Sequence, residues 1–238
     1  ICNDEQPSIG AELPRTGERF QGILPPLAQS PLFVIRKKAV RIFTLDDLCT
    51  QGVLSDRGRD LLNDAVLKRK NILVIGGTDS GKTTFANALL QVVAETTDRI
   101  VILEDTQELQ CRAKDVEYLH TKDGVASLRD LIRYTMRLSP DRIVIGEVRG
   151  AEALDLLKAW NTGHPGGVST VHANSAEKGL LRIEQLVQEA GVAPCRAMIS
   201  EAVNVLVYME KVGAKRVVKN VLEVKGVVGD RYELSSLE

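Results

Sequence analysis

Aromatic residues are scarce: Phe, Trp and Tyr make up 4% of the 238 residues. Proteins that hold single-stranded nucleic acid on stacking platforms need such side chains, so no specific nucleic-acid site is expected. There is no excess of charge of either sign. Lys and Arg number 31 against 32 Asp and Glu, for a net charge of −1, and the signs are interleaved. That removes the electrostatic reason to expect a polyanion as the main partner. Cysteines are few and far apart (Cys2, Cys49, Cys111, Cys195), with no C-x-x-C pair. This spacing argues against a zinc site and a disulfide framework, and reduced, cytoplasmic thiols are the simplest reading. No apolar run approaches the roughly 20 residues that span a bilayer, and no signal peptide is evident. The chain starts at Ile1 rather than Met and reads as a fragment without its natural beginning.

What is present is ordinary for a globular protein: 44% apolar and 26% charged residues. The length suffices for one substantial core and a small second unit. Residues 1–40 are rich in Pro and Gly, with strand-like runs at Glu18–Leu24 and Leu32–Lys38. A segment this short cannot bury a core alone, so it reads as the end of an N-terminal domain, with residues 41–238 as the second domain. Thr44-x-x-Asp47 and Ser127-x-x-Asp130 predict capping boxes, and a helix is expected over Gly58–Lys70. From Asn71 onward short apolar strands alternate with helices. Strands are expected at 71–75, 99–104, 115–120, 142–146 and 167–172. Helices are expected to about Thr96 and over 127–139, 151–160, 176–190 and 195–204. Three final antiparallel strands fit "VLVYME", "RVVKNVLEV" and "VVGDRYEL". The fold class is therefore α/β, with a mostly parallel sheet covered on both faces.

The strongest motif is "GGTDSGKTT", Gly76–Thr84, which fits G-x-x-x-x-G-K-[ST] between an apolar strand and a helix. Gly76, Gly77 and Gly81 let the backbone turn its N–H groups inward, around Thr78, Asp79 and Ser80. The helix start adds partial positive charge, Lys82 reaches the β- and γ-phosphates, Thr83 can ligate Mg²⁺, and Thr84 completes the loop. ATP with Mg²⁺ is the expected ligand. Asp79 is out of place among these residues. A carboxylate about 6 Å from a phosphate charge, at an effective dielectric near 40, repels it by about 1.4 kcal/mol. That predicts roughly tenfold weaker binding rather than a dead site.

A phosphate loop alone leaves a guanine-nucleotide switch, a small-molecule kinase and an ATP-driven motor open. The chain has no N-K-x-D for guanine, and neither a lid nor an acceptor pocket can be picked out for a kinase. Two further strands end in acid, as a motor requires. One delivers Glu104, Asp105 and Glu108, the other Glu147. In the usual second nucleotide motif the strand ends in Asp-Glu. Here Gly146 stands in the Asp position, so the metal-side carboxylate is expected from the Glu104–Asp105 strand. An acid after a strand also commonly caps the next helix, and Asp105 fits that role too. His172 ends a strand, where open α/β sheets bind ligands, and its imidazole can report the γ-phosphate. His164 is the second histidine of "NTGHPGGVSTVHANS".

The order phosphate loop, "ILEDTQEL", "RLSPDRIVIGEVRG" and "TGHPGGVSTVHANS" resembles the secretion ATPase family of type IV secretion and pilus systems. "AELPRTGERF", "LKAWNTGHPGG" and "GDRYEL" are most similar to its conjugal-transfer, Trb-type branch. The resemblance runs from about Ala11 to Leu234. It implies a RecA-like ATPase domain, a homo-hexameric ring, nucleotide between the two domains, and docking on the cytoplasmic face of the inner membrane against secretion or conjugation machinery. It also implies roles: Glu147 as catalytic glutamate, Glu104, Asp105 and Glu108 as the acidic box, and His172 as the His-box histidine. Arg137 and Arg149 correspond to arginines near the nucleotide or subunit interface, with Arg133 a further candidate. Arg36 and the "IRKK" run can come close to the nucleotide as the domains clamp, with a solvated strand end as the alternative for Lys37 and Lys38, and the hinge is expected at Ala39–Thr44. The zinc element of type II secretion relatives is absent, and Asp79 replaces a small residue. Type II secretion or pilus-assembly ATPases, a non-hydrolysing scaffold and a nucleic-acid motor remain the alternatives.

Overall fold

A computed structural model describes residues 5–15, 17–37 and 41–237. By contact the chain divides into two compact units, Ile1–Arg41 with Thr106–Glu108, and Ile42–Asp105 with Leu109–Glu238. The first unit carries an antiparallel sheet of β1 (Ser8–Glu12), β2 (Arg19–Ile23) and β3 (Leu32–Arg36), in that order. Phe20 and Phe33 stack across it with ring centroids 6.0 Å apart. The strand at β1 has no hydrophobic alternation to announce it. It exists because its backbone pairs with β2, Ser8 opposite Ile23 through Glu12 opposite Arg19.

The second unit begins with α1 (Leu45–Thr50) and α2 (Asp56–Leu67), then β4 (Ile72–Gly76), α3 (Lys82–Val93), β5 (Ile100–Glu104) and β6 (Val116–His120). It continues with α4 (Leu128–Thr135), β7 (Arg142–Ile145), α5 (Glu152–Asn161), β8 (Val168–Val171), α6 (Ala176–Glu189) and α7 (Arg196–Ala202). It closes with β9 (Val205–Val212), β10 (Lys215–Val228) and β11 (Arg231–Ser236). The sheet order is β11-β10-β9-β4-β8-β7-β5-β6. Strands β9 through β6 run parallel, and the β9–β10–β11 meander is antiparallel. This is the α/β, RecA-like fold expected.

The central strands are apolar at successive positions because both sheet faces are covered. Leu73, Ile75, Val101, Leu103, Ile143 and Ile145 face one core, together with α4, α5 and α6. Ile72, Val74, Ile100, Ile102 and Val144 face the other, with α2 and α3. Both predicted capping boxes form, at Thr44/Asp47 and Ser127/Asp130. Two helix boundaries differ from the expected ones, each for a local reason. α2 starts at Asp56 rather than Gly58, because the Ser55 hydroxyl accepts from the Gly58 N–H. α4 stops at Thr135 rather than Ser139: Ser139 adopts φ 52° immediately before Pro140, and the residue before a proline is disfavoured in helical geometry. "VVGDRYEL" is not one strand. Gly229 takes φ 59°, and the chain reverses between β10 and β11. Among the described residues no helix is long and apolar enough to cross a membrane.

Candidate nucleotide site

The wholly buried β4 delivers the phosphate loop at its carboxyl end. α3 begins at Lys82, preceded by Gly81 at φ 94°, and no side chain caps this helix start. The loop thus leads straight into a helix N-terminus, whose partial positive charge favours an anion. The Lys82 ammonium donates to the carbonyls of Gly76 at 2.9 Å and Gly77 at 3.0 Å, which places its charge inside the loop. Ser80 is buried, whereas Thr78, Asp79 and Thr84 are exposed. Asp79 sits at φ 57°, a left-handed conformation that Asp tolerates better than most residues. Its side chain is on the solvent side of the loop. Gly77, Thr78 and Gly81 lie in the turn between β4 and α3, and Thr83 in the first turn of α3.

The acids at the neighbouring strand ends explain the missing aspartate. Glu104 at the end of β5 is 4% exposed, and its Oε1 accepts from the Leu109 N–H at 2.9 Å. A Cβ placed on Gly146 would lie 2.9 Å from the Glu104 Cγ and 3.0 Å from its Oε1. The volume that a side chain at 146 would need is already filled by Glu104. Glu147 follows, held by its backbone context: the Gly146 N–H donates to the Leu103 carbonyl at 3.0 Å and the Val148 N–H to that of Thr170 at 2.9 Å. The Thr170 hydroxyl donates to the Gly146 carbonyl at 2.8 Å.

Arg149 does not project freely. Its Nε donates to the Glu147 Oε2 at 2.9 Å and its Nη2 to the same oxygen at 2.5 Å, while Nη1 lies 3.7 Å from the Asp105 Oδ2. Asp105 also accepts from the Thr121 hydroxyl at 3.0 Å, so it ties the β5 and β6 ends rather than capping a helix. Glu108 groups with the first unit, within which it lies 3.4 Å from Arg36. Among the described residues no three His, Cys, Asp or Glu side chains converge as a metal cluster. Of the expected acidic box, Glu104 lies beside Gly146, Asp105 beside Thr121 and Arg149, and Glu108 in the first unit. That suits Mg²⁺, which takes one or two protein oxygens and completes its shell with phosphate and water. Thr83 and Glu104 supply oxygens of the right kind.

His172 follows β8, exposed at the carboxyl end of the sheet. His164 is different: its Nδ1 lies 2.8 Å from the Pro140 carbonyl, a structural tie between loops. Arg137, just past α4, is exposed and makes no ion pair among the described residues, and Arg133 lies 3.9 Å from Asp130 on its own helix. Lys38, with Ala39 and Val40 of the expected hinge, lies outside the described residues.

Residues 13–223 match the model of a family described as "Type II/IV secretion system protein". The chain belongs to this family. It is 48% identical over 234 residues to the conjugal transfer protein TrbB of Rhizobium radiobacter, covering 98% of this chain and 72% of that protein. It is 33% identical over 259 residues to the type IV secretion system protein PtlH of Bordetella pertussis, covering 94% and 76%. Among solved structures it resembles the VirB11 ATPase from the Brucella suis type IV secretion system in complex with sulphate. That match has a TM-score of 0.62 and 28% identity, over 93% of this chain and 75% of that one. The pilus retraction motor PilT with bound ADP shares the fold, with a TM-score of 0.65 and 24% identity over 96% and 63%.

In this member of the secretion family one residue beside the loop had no sequence signal. Arg216, on β10, donates through Nε to the Asp79 carbonyl at 3.3 Å, across 137 positions of chain. Its Cγ lies 3.4 Å from where a Gly81 Cβ would be, with the Met209 Cε at 3.5 Å. Nothing in the local sequence around Arg216 distinguishes it from other strand cations.

Proposed function

We propose that this chain is a Mg²⁺-dependent ATPase of conjugal transfer, working as a ring docked against type IV secretion machinery at the cytoplasmic face of the inner membrane. One observation carries the catalytic part of this reading. Glu104 fills the space that Gly146 leaves, so two carboxylates from adjacent strands, Glu104 and Glu147, stand at the sheet end that also carries the phosphate loop. Family membership and the TrbB and PtlH relatives support the biological setting.

Lys82 and the loop amides of Gly76–Thr84 hold the β- and γ-phosphates. Thr83 and Glu104, with Asp105 more remotely, are the residues that would hold Mg²⁺, which neutralises charge on the phosphate oxygens when bound with nucleotide. Glu147 orients a water and takes its proton as the water oxygen bonds to the γ-phosphorus. The bond to the β–γ bridging oxygen breaks, and ADP leaves with the electron pair. Arg149 holds the Glu147 carboxylate in place and is near enough to share the departing charge. His172 reports the γ-phosphate from β8, and Arg137 acts across a subunit boundary.

Steady-state phosphate release, with mass in solution measured with and without Mg²⁺-ATP, tests this. The parent should hydrolyse ATP and assemble. Lys82→Ala should lose binding. A parent that binds ATP and assembles without releasing phosphate would overturn the enzyme reading in favour of a nucleotide-stabilised scaffold.

A further inference from the structure

Between β5 and β6 the chain groups with the first unit at Thr106–Glu108 and rejoins the second at Leu109. Residues 109–111 belong to no helix or strand, yet side chains pin their backbone at every position. The Leu109 N–H donates to the Glu104 Oε1 at 2.9 Å. The Gln110 N–H donates to the Asn87 Oδ1 at 2.7 Å, and the Gln110 carbonyl accepts from the Gln91 Nε2 at 3.1 Å. The Cys111 N–H donates to the Tyr118 hydroxyl at 2.8 Å, and that hydroxyl donates to the Cys111 carbonyl at 3.2 Å. Leu109 and Cys111 are buried. Buried backbone outside a ladder needs such partners, so the segment is a strap laid along α3.

The helix face that carries the strap has a second use. Thr83, Asn87 and Gln91 follow one another at intervals of four on α3, so they are neighbours along one side of it. Gln91 Nε2 also donates to the Asn87 carbonyl at 3.2 Å, which ties the row together. Asn87 is 3% exposed, a costly place for an amide that is not hydrogen-bonded. The row starts at Thr83 and its strap ends on Glu104, the two residues whose oxygens suit Mg²⁺. Thr83 belongs to α3 itself, and Glu104 is reached from α3 through Asn87, Gln110 and Leu109. On its other side Glu104 is packed against Gly146, where a Cβ would lie 2.9 Å from its Cγ.

We infer that Asn87, with Gln91 behind it, is a positioning residue that fixes the Glu104 carboxylate relative to Thr83 and so makes the metal position selective for Mg²⁺ over Ca²⁺. This rests on the ATPase reading, with Thr83 and Glu104 as the residues that would hold the ion. Mg²⁺ demands near-ideal octahedral geometry at about 2.0–2.1 Å, whereas Ca²⁺ accepts a flexible shell at about 2.3–2.6 Å. Oxygens held from one helix face can meet the stricter demand. A carboxylate on a loosened strap retains its charge but loses its fixed place, and that penalises the smaller ion more.

Binding of the fluorescent analogue mant-ATP to the full chain, measured in Mg²⁺, in Ca²⁺ and in EDTA, tests this. The parent should bind more tightly with Mg²⁺ than with Ca²⁺. Asn87→Ala should weaken binding in Mg²⁺ about tenfold, the lower end of what a ligand's lost hydrogen-bonding partner costs in metal affinity. Binding in Ca²⁺ and in EDTA should stay nearly unchanged, so the preference for Mg²⁺ collapses. Gln91→Ala, at a part-buried position and one bond further from Glu104, should show the same change a few-fold. Hydrogen exchange at the Leu109 and Gln110 amides should quicken in both variants. An equal loss of affinity in all three conditions would make Asn87 purely structural and overturn the inference. A retained Mg²⁺ preference with quickened exchange, or unchanged exchange, would overturn it too, and each of these leaves the ATPase reading standing. If Asn87→Ala does not fold, Gln91→Ala decides by the same criteria. A parent that binds equally with Mg²⁺ and with EDTA would remove the metal position, and one that does not bind would remove the ATPase reading. The inference falls with either.

Discussion

Strand β7 has two ends a few residues apart, and they use the same kinds of side chain for opposite purposes. At the amino end Arg142 is 1% exposed. Its Nε donates to the Asp98 Oδ2 at 2.6 Å, and its Nη1 donates to the carbonyls of Val66 at 3.0 Å and Gly166 at 3.1 Å. Arg69 binds the other Asp98 oxygen. Asn71 completes the cluster, accepting from the Gly166 and Gly167 N–H groups and donating to the Ala202 carbonyl. At the carboxyl end Arg149 is 57% exposed and holds Glu147 and Asp105. The buried arginine is held through Nε and Nη1 by a carboxylate and two carbonyls. The exposed one rests on two carboxylates in contact with solvent. A buried ion pair joins three strand starts, whereas a hydrated pair can be exchanged during turnover.

The sharpest way to break this contrast is at the carboxyl end. Glu147→Gln should reduce phosphate release by about 10³-fold while ATP binding is retained, because a proton acceptor is lost and no phosphate contact is. Release at the parent rate would remove Glu147 from the mechanism. At the amino end the effect should be on stability. Arg142→Ala leaves Asp98 buried with a partial complement of partners and should cost about 3–5 kcal/mol, read as a drop in the urea midpoint. Activity per folded molecule should survive, and a loss of turnover with normal stability would contradict the division of labour.

The pH dependence follows the same cluster. Burial by itself would raise the Asp98 carboxyl, but the hydrogen bond and charge of Arg142, then those of Arg69, outweigh it and hold the carboxyl below its usual range. A depressed folded value means that the contribution is present above the unfolded carboxyl value of about 3.9 and is lost as pH falls through the folded one. Urea midpoints should therefore fall in acid, and less steeply in an Asp98→Asn, Arg142→Met double variant.

Arg149→Ala should lower turnover by about 10²-fold through a misplaced Glu147, with little change in ATP affinity. An equal loss of affinity would assign Arg149 to ground-state binding instead. The smallest effect is expected at Asp79→Gly. The exposed, left-handed Asp79 sharpens the sequence-based expectation of tenfold weakening: the variant should bind ATP only a few-fold tighter, by relieving backbone strain and a distant charge. Isothermal titration against Mg²⁺-ATP measures it, and weaker binding by the variant would show that Asp79 helps the loop.

The capping boxes, the strand–loop–helix of the phosphate site and the order of its downstream motifs were legible because each is written in residues near one another. The continuous apolar runs of β4, β5 and β7 announced a sheet covered on both faces for the same reason. Boundaries were missed where one short-range signal outranked the apolar pattern, as at Ser55 and at Ser139–Pro140. β1 was missed because pairing, not composition, makes it a strand.

By itself the sequence determined a phosphate-binding loop, an α/β sheet and an unusual Gly146–Glu147 pair in place of Asp-Glu. Only the tertiary structure decided what replaces the aspartate, since Glu104 reaches Gly146 from another strand. It also decided which of the two arginines at either end of β7, Arg142 and Arg149, is a buried staple, and it brought Arg216 to Asp79 from the far end of the chain. Those choices depend on which strands lie side by side. Strand order is set by the packing of distant segments, and no local run of residues encodes it.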